Sequence, residues 1–386
     1  MLSILKKKSF FTCMVVALLF CFFVCFFIFS SKKKKGKLQS LDNDAFKVVM
    51  MSDLGGVNDQ SFNQSALEGL TNLKNNNLEK NVVVSYVEPK QTSDFPLILD
   101  KLSDGNNNLI YAIGYSLSDA LLDVATLNLD KNFVMVDYDF GKNTPNNVTC
   151  VMFYSQESAL LAGYVAGKTT KTNKVGFLGG MRGSIIDQFE YGFKSGVYIA
   201  AKELGKEIEV VAQYADSFTD VAKGKAIGAK LYNSGCDIAM HAAGPVGLGL
   251  IESAKEHGTF AIGVDKDQSD ISPECVLTSA MKNVGKAVEL VGESFLNKID
   301  LGGKTLTYGA KEGCVGIPKD YRLMGKNTYN STMKILEKIH DGKIEIKNNT
   351  LVIPYSEETY KEFVKKFNGV IKWILKVEKK IQFFLN

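Results

Sequence analysis

The chain has 386 residues, 45% apolar and 23% charged, the proportions of a globular protein and not of a disordered one. Its net charge of +4 sits at one end. Removing the eight lysines of residues 1–37 leaves −4, so the rest is mildly acidic and composition gives no support to nucleic-acid binding. Roughly 340 to 350 residues follow the N-terminal segment, more than a single core usually holds, which predicts two lobes.

Phe10 to Phe29 is apolar apart from Thr12, with lysines on both flanks. At about 1.5 Å per residue it spans roughly 30 Å, enough to cross a bilayer. Residues 1–31 therefore read as a membrane anchor or the apolar region of an export signal, and residues 32–45 as a Lys-rich tether. Cys25 and Cys21 are candidates for lipidation, although neither "FFV" nor "LLF" supplies the small preceding residue of a strict signal. Cys150, Cys236, Cys275 and Cys314 are far apart and without CxxC spacing. They read as buried thiols, not as a metal site or a disulfide framework.

From Phe46 short apolar runs alternate with helical stretches. "FKVVMMS", "NVVVSYVEP", "NLIYAIGY" and "NFVMVDYD" are predicted strands, with helices in "DFPLILDKL" and "SDALLDVATL" between them. The grammar then restarts with a helix at "SALLAGYVAGKTT". Strands at "KVGFLGGM", "EIEVVAQYA", "CDIAMHAAG", "TFAIGVDKD" and "VLTSAM" follow, separated by helices. This alternation predicts parallel sheets with crossover helices. A helix at "NVGKAVELVGESFLNK", a strand-like "TLTYGAKEGCVGI", a helix at "STMKILEKIHDGKI" and a basic amphipathic tail (366–386) complete the chain.

In open parallel α/β sheets ligands bind beyond the carboxyl ends of the strands. Those ends carry Asp53, Gly114-Tyr115, Asp137, Gly179-Gly180, Asp216-Ser217-Phe218, Gly244 and Asp265-Lys266-Asp267. Aspartates, glycines and aromatics recur there; catalytic signatures do not. After Asp53, Gly55 and Gly56 allow a close backbone approach, Ser61 and Gln64 match a capping box, and Phe62 falls in the first turn of the helix. Neither GxGxxG nor GxxxxGK[ST] is present, so no dinucleotide or other cofactor is expected. His241, in an apolar strand, reads as a core histidine, with a pocket role as the alternative.

The stretches "SDLGGVNDQSFNQSALEGL", "IYAIGYSLSDA", "SALLAGYVAGK", "KVGFLGGMRG", "FEYGFKSGV", "HAAGPVGLG" and "IGVDKDQ", in this order, resemble the basic membrane protein family. These are the substrate-binding lipoproteins of nucleoside ABC transporters, or purine nucleoside receptors. The resemblance runs from about residue 46 to about residue 355. It implies a type I periplasmic-binding-protein fold: two Rossmann-like lobes with a ligand cleft between them, joined by three crossings. The expected lobes are 46–152 with about 281–306, and 153–280 with about 307–365. It further implies a purine nucleoside ligand of adenosine, guanosine or inosine type. Phe62 and Phe218 would clamp the base, with Asp53 and Asp137 at its edge. Asp265 would hold the ribose, Lys282 would contact the sugar and pair with Asp265, and Gly244 would let the backbone approach. Asn58, Gly114 and Tyr115 complete the expected ligand set. Tyr154 and Gln60 depart from the family pattern, which commonly has Phe-Arg and Lys there.

The expectation is a receptor on the extracytoplasmic face of the cell membrane, anchored by its N-terminus, with an ABC permease as partner and no bond made or broken. A sugar receptor on the same fold, a surface adhesin or sensor using the exterior and the basic tail, and a nucleoside hydrolase using "DKDQSD" are the alternatives.

Overall fold

The computed structural model describes residues 45–347 and 350–352. The expected anchor with Cys21 and Cys25, nearly all of the tether, and the basic tail lie outside them. Among the described residues no helix is long and apolar enough to cross a membrane.

The apolar runs form two six-stranded sheets. The first contains β1 (Phe46–Met51), β2 (Val82–Val87), β3 (Leu109–Ile113), β4 (Phe133–Val136), β5 (Val148–Phe153) and β11 (Thr305–Tyr308), in the order β11-β5-β4-β3-β1-β2, all parallel. The second contains β6 (Lys174–Gly179), β7 (Glu209–Tyr214), β8 (Ile238–Ala242), β9 (Phe260–Asp265), β10 (Val276–Lys282) and β12 (Val315–Gly316), in the order β12-β10-β9-β8-β6-β7. Only the β10–β12 pair is antiparallel. Strands β3, β4 and β8 are buried at every position. This is why they read as continuous apolar runs, as strands covered on both faces must. The edge strands β2, β7 and β11 carry the exposed positions.

Helices α1 (Phe62–Asn76), α2 (Phe95–Asp104) and α3 (Ser118–Leu127) cover the first sheet; α4 (Ser155–Thr169), α5 (Ser184–Leu204), α6 (Val221–Asn233) and α7 (Val246–His257) cover the second. Helix α8 (Val284–Leu296) returns to the first lobe and packs Val288 and Val291 with Leu70 and Leu73 of α1. Helix α9 (Lys326–His340) rests on α4 of the second lobe. The small residues in "SALLAGYVAGK" and "FEYGFKSGV" seat α4 against α5. A Cβ on Gly163 would lie 2.0 Å from the Phe193 carbonyl oxygen, and one on Gly196 1.9 Å from that of Leu160. The glycines of these two motifs serve helix packing, while Phe189 at the head of the second faces the cleft.

Among the described residues the chain passes between the lobes three times, after β5, after β10 and after β11. The "TLTYGAKEGCVGI" stretch, expected as one strand-like piece, is split between the two sheets. Its first strand reaches Tyr308 in the first sheet, so the hand-back to the second lobe falls later than residue 306. The four cysteines Cys150, Cys236, Cys275 and Cys314 are free and buried.

Candidate functional site

The carboxyl ends of both sheets face one another across a partly open cleft, the place where open parallel α/β sheets bind ligands. Its first-lobe side is polar, with Asp53, Asp59, Asn63 and Asp137 beside Gly114, Tyr115 and Phe62. Its second-lobe side is mostly apolar, with Ile185, Ile186 and Phe189 from α5, Phe218, and Ala242 to Pro245 following β8. Asp265 and Lys282, at the ends of β9 and β10, complete it.

The polar side is built around one asparagine. The Asn63 Oδ1 accepts the Asp53 N–H at 3.2 Å, which fixes the amide orientation. Its Nδ2 then donates to Asp53 Oδ1 at 2.8 Å and Asp59 Oδ2 at 3.0 Å. Asp59 also accepts the backbone N–H groups of Ser61, Asn63 and Gln64 at 2.8–3.0 Å, so it caps α1. Asp53 Oδ1 takes a further bond from the Gly55 N–H. Burial pushes the Asp53 carboxyl up to about 6, against the bonds from Asn63 and Gly55 that favour its ionised form. Gly114 has φ of 109°, and a Cβ there would lie 3.0 Å from Asp53 Oδ2. The backbone thus closes over this carboxylate in a conformation only glycine adopts freely.

Lys282 is 3% exposed and is the cation of the cleft. Its Nζ lies 2.5 Å from Asp137 Oδ2 and 3.8 Å from Asp265 Oδ1. It also stands 4.5 Å from the centre of the Phe62 ring, within cation–π range. The lysine therefore bridges carboxylates of both lobes, with the closer contact to Asp137 and not to the expected Asp265. The reason is topological: β10 ends at the lobe boundary, where Asp137 projects from the opposite sheet. Asp265 Oδ2 instead accepts the Ser61 hydroxyl at 2.6 Å. Burial raises the Asp265 carboxyl to about 6, with Lys282 and Ser61 opposing the shift. Asp137 Oδ1 is buried and accepts no hydrogen bond among the described residues.

Nine of the ten expected ligand residues line this cavity: Asp53, Phe62, Gly114, Tyr115, Asp137, Phe218, Gly244, Asp265 and Lys282. Asn58 does not. It is exposed, because the Val57 N–H bonds Glu88 at 2.7 Å and holds that part of the loop toward β2. The expected capping box is also absent. Ser61 makes no cap bond and Gln64 bonds Glu68, because Asp59 holds the helix start. Asp59, Asn63, Ile185, Ile186, Phe189 and Pro245 were not among the expected residues. An acidic residue just before the helix, and helix starts that follow strand ends, were the available signals. His241 is buried in the second lobe and is not part of the cavity wall. Among the described residues no group of His, Cys, Asp and Glu is arranged to hold a metal ion.

Two parallel-dominated lobes with a cleft at their strand ends define the type I periplasmic-binding-protein fold. An ABC transporter solute-binding protein from Aeropyrum pernix superposes with a TM-score of 0.71 at 22% identity, covering 84% of this chain and 98% of that one. Another from Conexibacter woesei gives 0.65 at 20% identity, covering 79% and 99%. The sequence places the chain more narrowly. The Bmp family model, described as ABC transporter substrate-binding protein PnrA-like, matches residues 46–350. Basic membrane protein A of Borreliella afzelii is 37% identical over 325 residues, 83% of this chain and 95% of that protein. Basic membrane protein D of Borreliella burgdorferi is 35% identical over 325 residues, 82% and 91% respectively. The chain belongs to this family of ABC transporter substrate-binding proteins.

Proposed function

We propose that this protein captures a purine nucleoside between its lobes and delivers it to an ABC permease, working from the extracytoplasmic face of the membrane with residues 1–31 as its anchor. The observation that carries the ligand class is the pairing, in one cavity, of carboxylates with aromatic rings: Asp53, Asp137 and Asp265 with Phe62, Phe218 and Tyr115. A nucleoside has both a flat base and a pair of hydroxyl donors. Stacking on a ring contributes roughly 1–3 kcal/mol per base, and ionised carboxylates accept the hydroxyls. Asp265 and Lys282 take the ribose, and Asp53 and Asp137 take the base edge. Asp137 Oδ1, buried without a donor among the described residues, suits a ligand N–H or O–H. The second-lobe wall removes water from these contacts, and no bond is made or broken.

The test is calorimetric. Protein unfolded and refolded to strip carried-over ligand is titrated with adenosine, guanosine, inosine, pyrimidine nucleosides and ribose. Purine nucleosides should bind with a Kd of about 1 μM or tighter, near −8 kcal/mol, with ribose silent. Equal binding of ribose would make this a sugar receptor. Silence from all of them would separate the protein from nucleoside capture and direct attention to its exterior.

A further inference from the structure

Two stretches of the family resemblance, "HAAGPVGLG" and "IGVDKDQ", contain residues that touch no part of the cavity. Gln268 is 1% exposed and His241 is fully buried, and the two are bonded to each other. Gln268 Oε1 accepts the Val264 N–H at 3.0 Å, which fixes which end of its amide is oxygen. The same oxygen lies 2.9 Å from His241 Nε2, which must therefore carry the proton. His241 Nδ1 has no partner among the described residues, and burial holds the ring neutral, pushed down to about 4. The Gln268 backbone N–H is anchored on the Ser279 hydroxyl at 3.1 Å. What remains is Nε2, and it reaches out of its own lobe to donate to the Gln60 carbonyl at 3.0 Å.

That carbonyl belongs to the first-lobe loop that carries the site. Gln60 has φ of 52°, and Asp265, next to the Val264 that Gln268 also holds, has φ of 66°. Left-handed backbone at such residues persists only where surrounding contacts over-determine it. Gln268 thus grips one left-handed turn in each lobe, adjacent to Ser61 and at Asp265, the pair that bonds directly across the cleft. The fold makes room for this pair with two glycines. A Cβ on Gly247 would stand 1.9 Å from His241 Nδ1, and one on Gly263 2.5 Å from Gln268 Oε1.

We propose that Gln268, oriented by His241, is the tie that holds the two lobes in the closed geometry: a pair of positioning residues for ligand capture that never touch the ligand. Losing a buried hydrogen bond of this kind costs enough to speed ligand release by about 10-fold or more. The test uses the full chain. Gln268→Glu keeps size and both acceptor bonds but turns an oxygen toward the Gln60 carbonyl; His241→Phe keeps the ring and removes the donor. Spin labels at exposed Lys90 and Thr219, one per lobe, report the inter-lobe distance in the ligand-free protein. Stopped flow with adenosine reports association and dissociation.

The tie predicts a longer inter-lobe distance in Q268E and, less so, in H241F. Adenosine dissociation should be faster, with association nearly unchanged. A wild-type distance distribution retained in both variants overturns the proposal, whatever their Tm, since a merely structural role lowers Tm alone. Should Q268E not fold, Ser279→Ala, which removes only the anchor of the Gln268 N–H, gives the same distance reading in weaker form. Only the adenosine arm rests on the proposed nucleoside ligand. Failure of the wild type to bind adenosine counts against that reading, while the ligand-free distances still decide the tie.

Discussion

Asp137 and Asp265 occupy the same place in two lobes of the same topology. Each follows or ends the fourth strand of its sheet, each has a left-handed backbone (φ 65° and 66°), and each is 6% exposed. Their surroundings differ. Asp137 has one oxygen on Lys282 and the other without a partner among the described residues, whereas Asp265 has one oxygen on Ser61 and the other at the longer reach of Lys282. The lobes differ likewise as wholes: the first offers a hydrogen-bonded cage of Asp53, Asp59 and Asn63, and the second a wall of Ile185, Ile186, Phe189 and Phe218. A repeated frame thus gives one lobe the polar recognition and the other the dry environment that strengthens it, with Lys282 as the charge they share.

That sharing is broken most severely by Lys282→Met. It leaves Asp137 and Asp265 facing each other without a cation, and removing one partner of a buried pair costs about 3–5 kcal/mol. Denaturant unfolding of the ligand-free variant should show this loss, and calorimetry should show no ligand binding. A variant of wild-type stability would mean that the lobes do not depend on their common charge.

The two aspartates can then be separated. Asp265→Asn and Asp137→Asn should each weaken nucleoside binding by about 2–3 kcal/mol or more, the usual cost of truncating a buried charged contact. If one is silent, the symmetry of the frame does not extend to recognition. Phe62→Ala and Phe218→Ala compare the rings of the two lobes, and each should cost roughly 1–3 kcal/mol of purine affinity. Ribose binding, if detectable, should be unaffected.

The pH dependence sharpens the comparison further. Asp53 in the first lobe and Asp265 in the second both have folded values raised to about 6 from an ordinary 3.8. The folded state therefore holds more protons than the unfolded one between those values. Each group's contribution is fully present below about pH 4 and is lost as pH rises through 6. Ligand-free Tm should reflect this fall, and Asp53→Asn should raise Tm at pH 7 while leaving it nearly unchanged at pH 4. A drop in Tm at pH 7 would show that the carboxylate is stabilised by its cage more than burial disfavours it. The smallest effect belongs to Lys266→Ala, which removes a half-exposed ion pair to Glu68 across the lobes and should change stability by under about 1 kcal/mol.

Much of this was legible in the sequence. The two βα blocks follow from apolar runs of strand length alternating with helical spacing, and Asp53, Gly114, Tyr115, Asp137, Phe218, Gly244 and Asp265 follow from reading the strand ends, while Lys282 was implied only by the family resemblance. Asn58 and Asp59 mark the limit. They are adjacent polar residues in one turn, and which of them faces the cleft depends on Glu88, thirty-one positions beyond Val57, drawing the loop outward. The apolar wall of Ile185, Ile186 and Phe189 was hidden for the opposite reason. On a helix start such residues look like ordinary core until a second lobe stands across from them.

Local chemistry alone determined that the chain would fold as parallel α/β lobes and place carboxylates, glycines and rings at the strand ends, since periodicity and backbone preference act over a few residues. Tertiary structure decided which carboxylate Lys282 sits closest to, that Ser61 serves Asp265 instead of its own helix, and that Gln268 reaches Gln60. Those choices join residues 145, 204 and 208 positions apart, and only the packing of one lobe against the other brings such partners within a hydrogen bond.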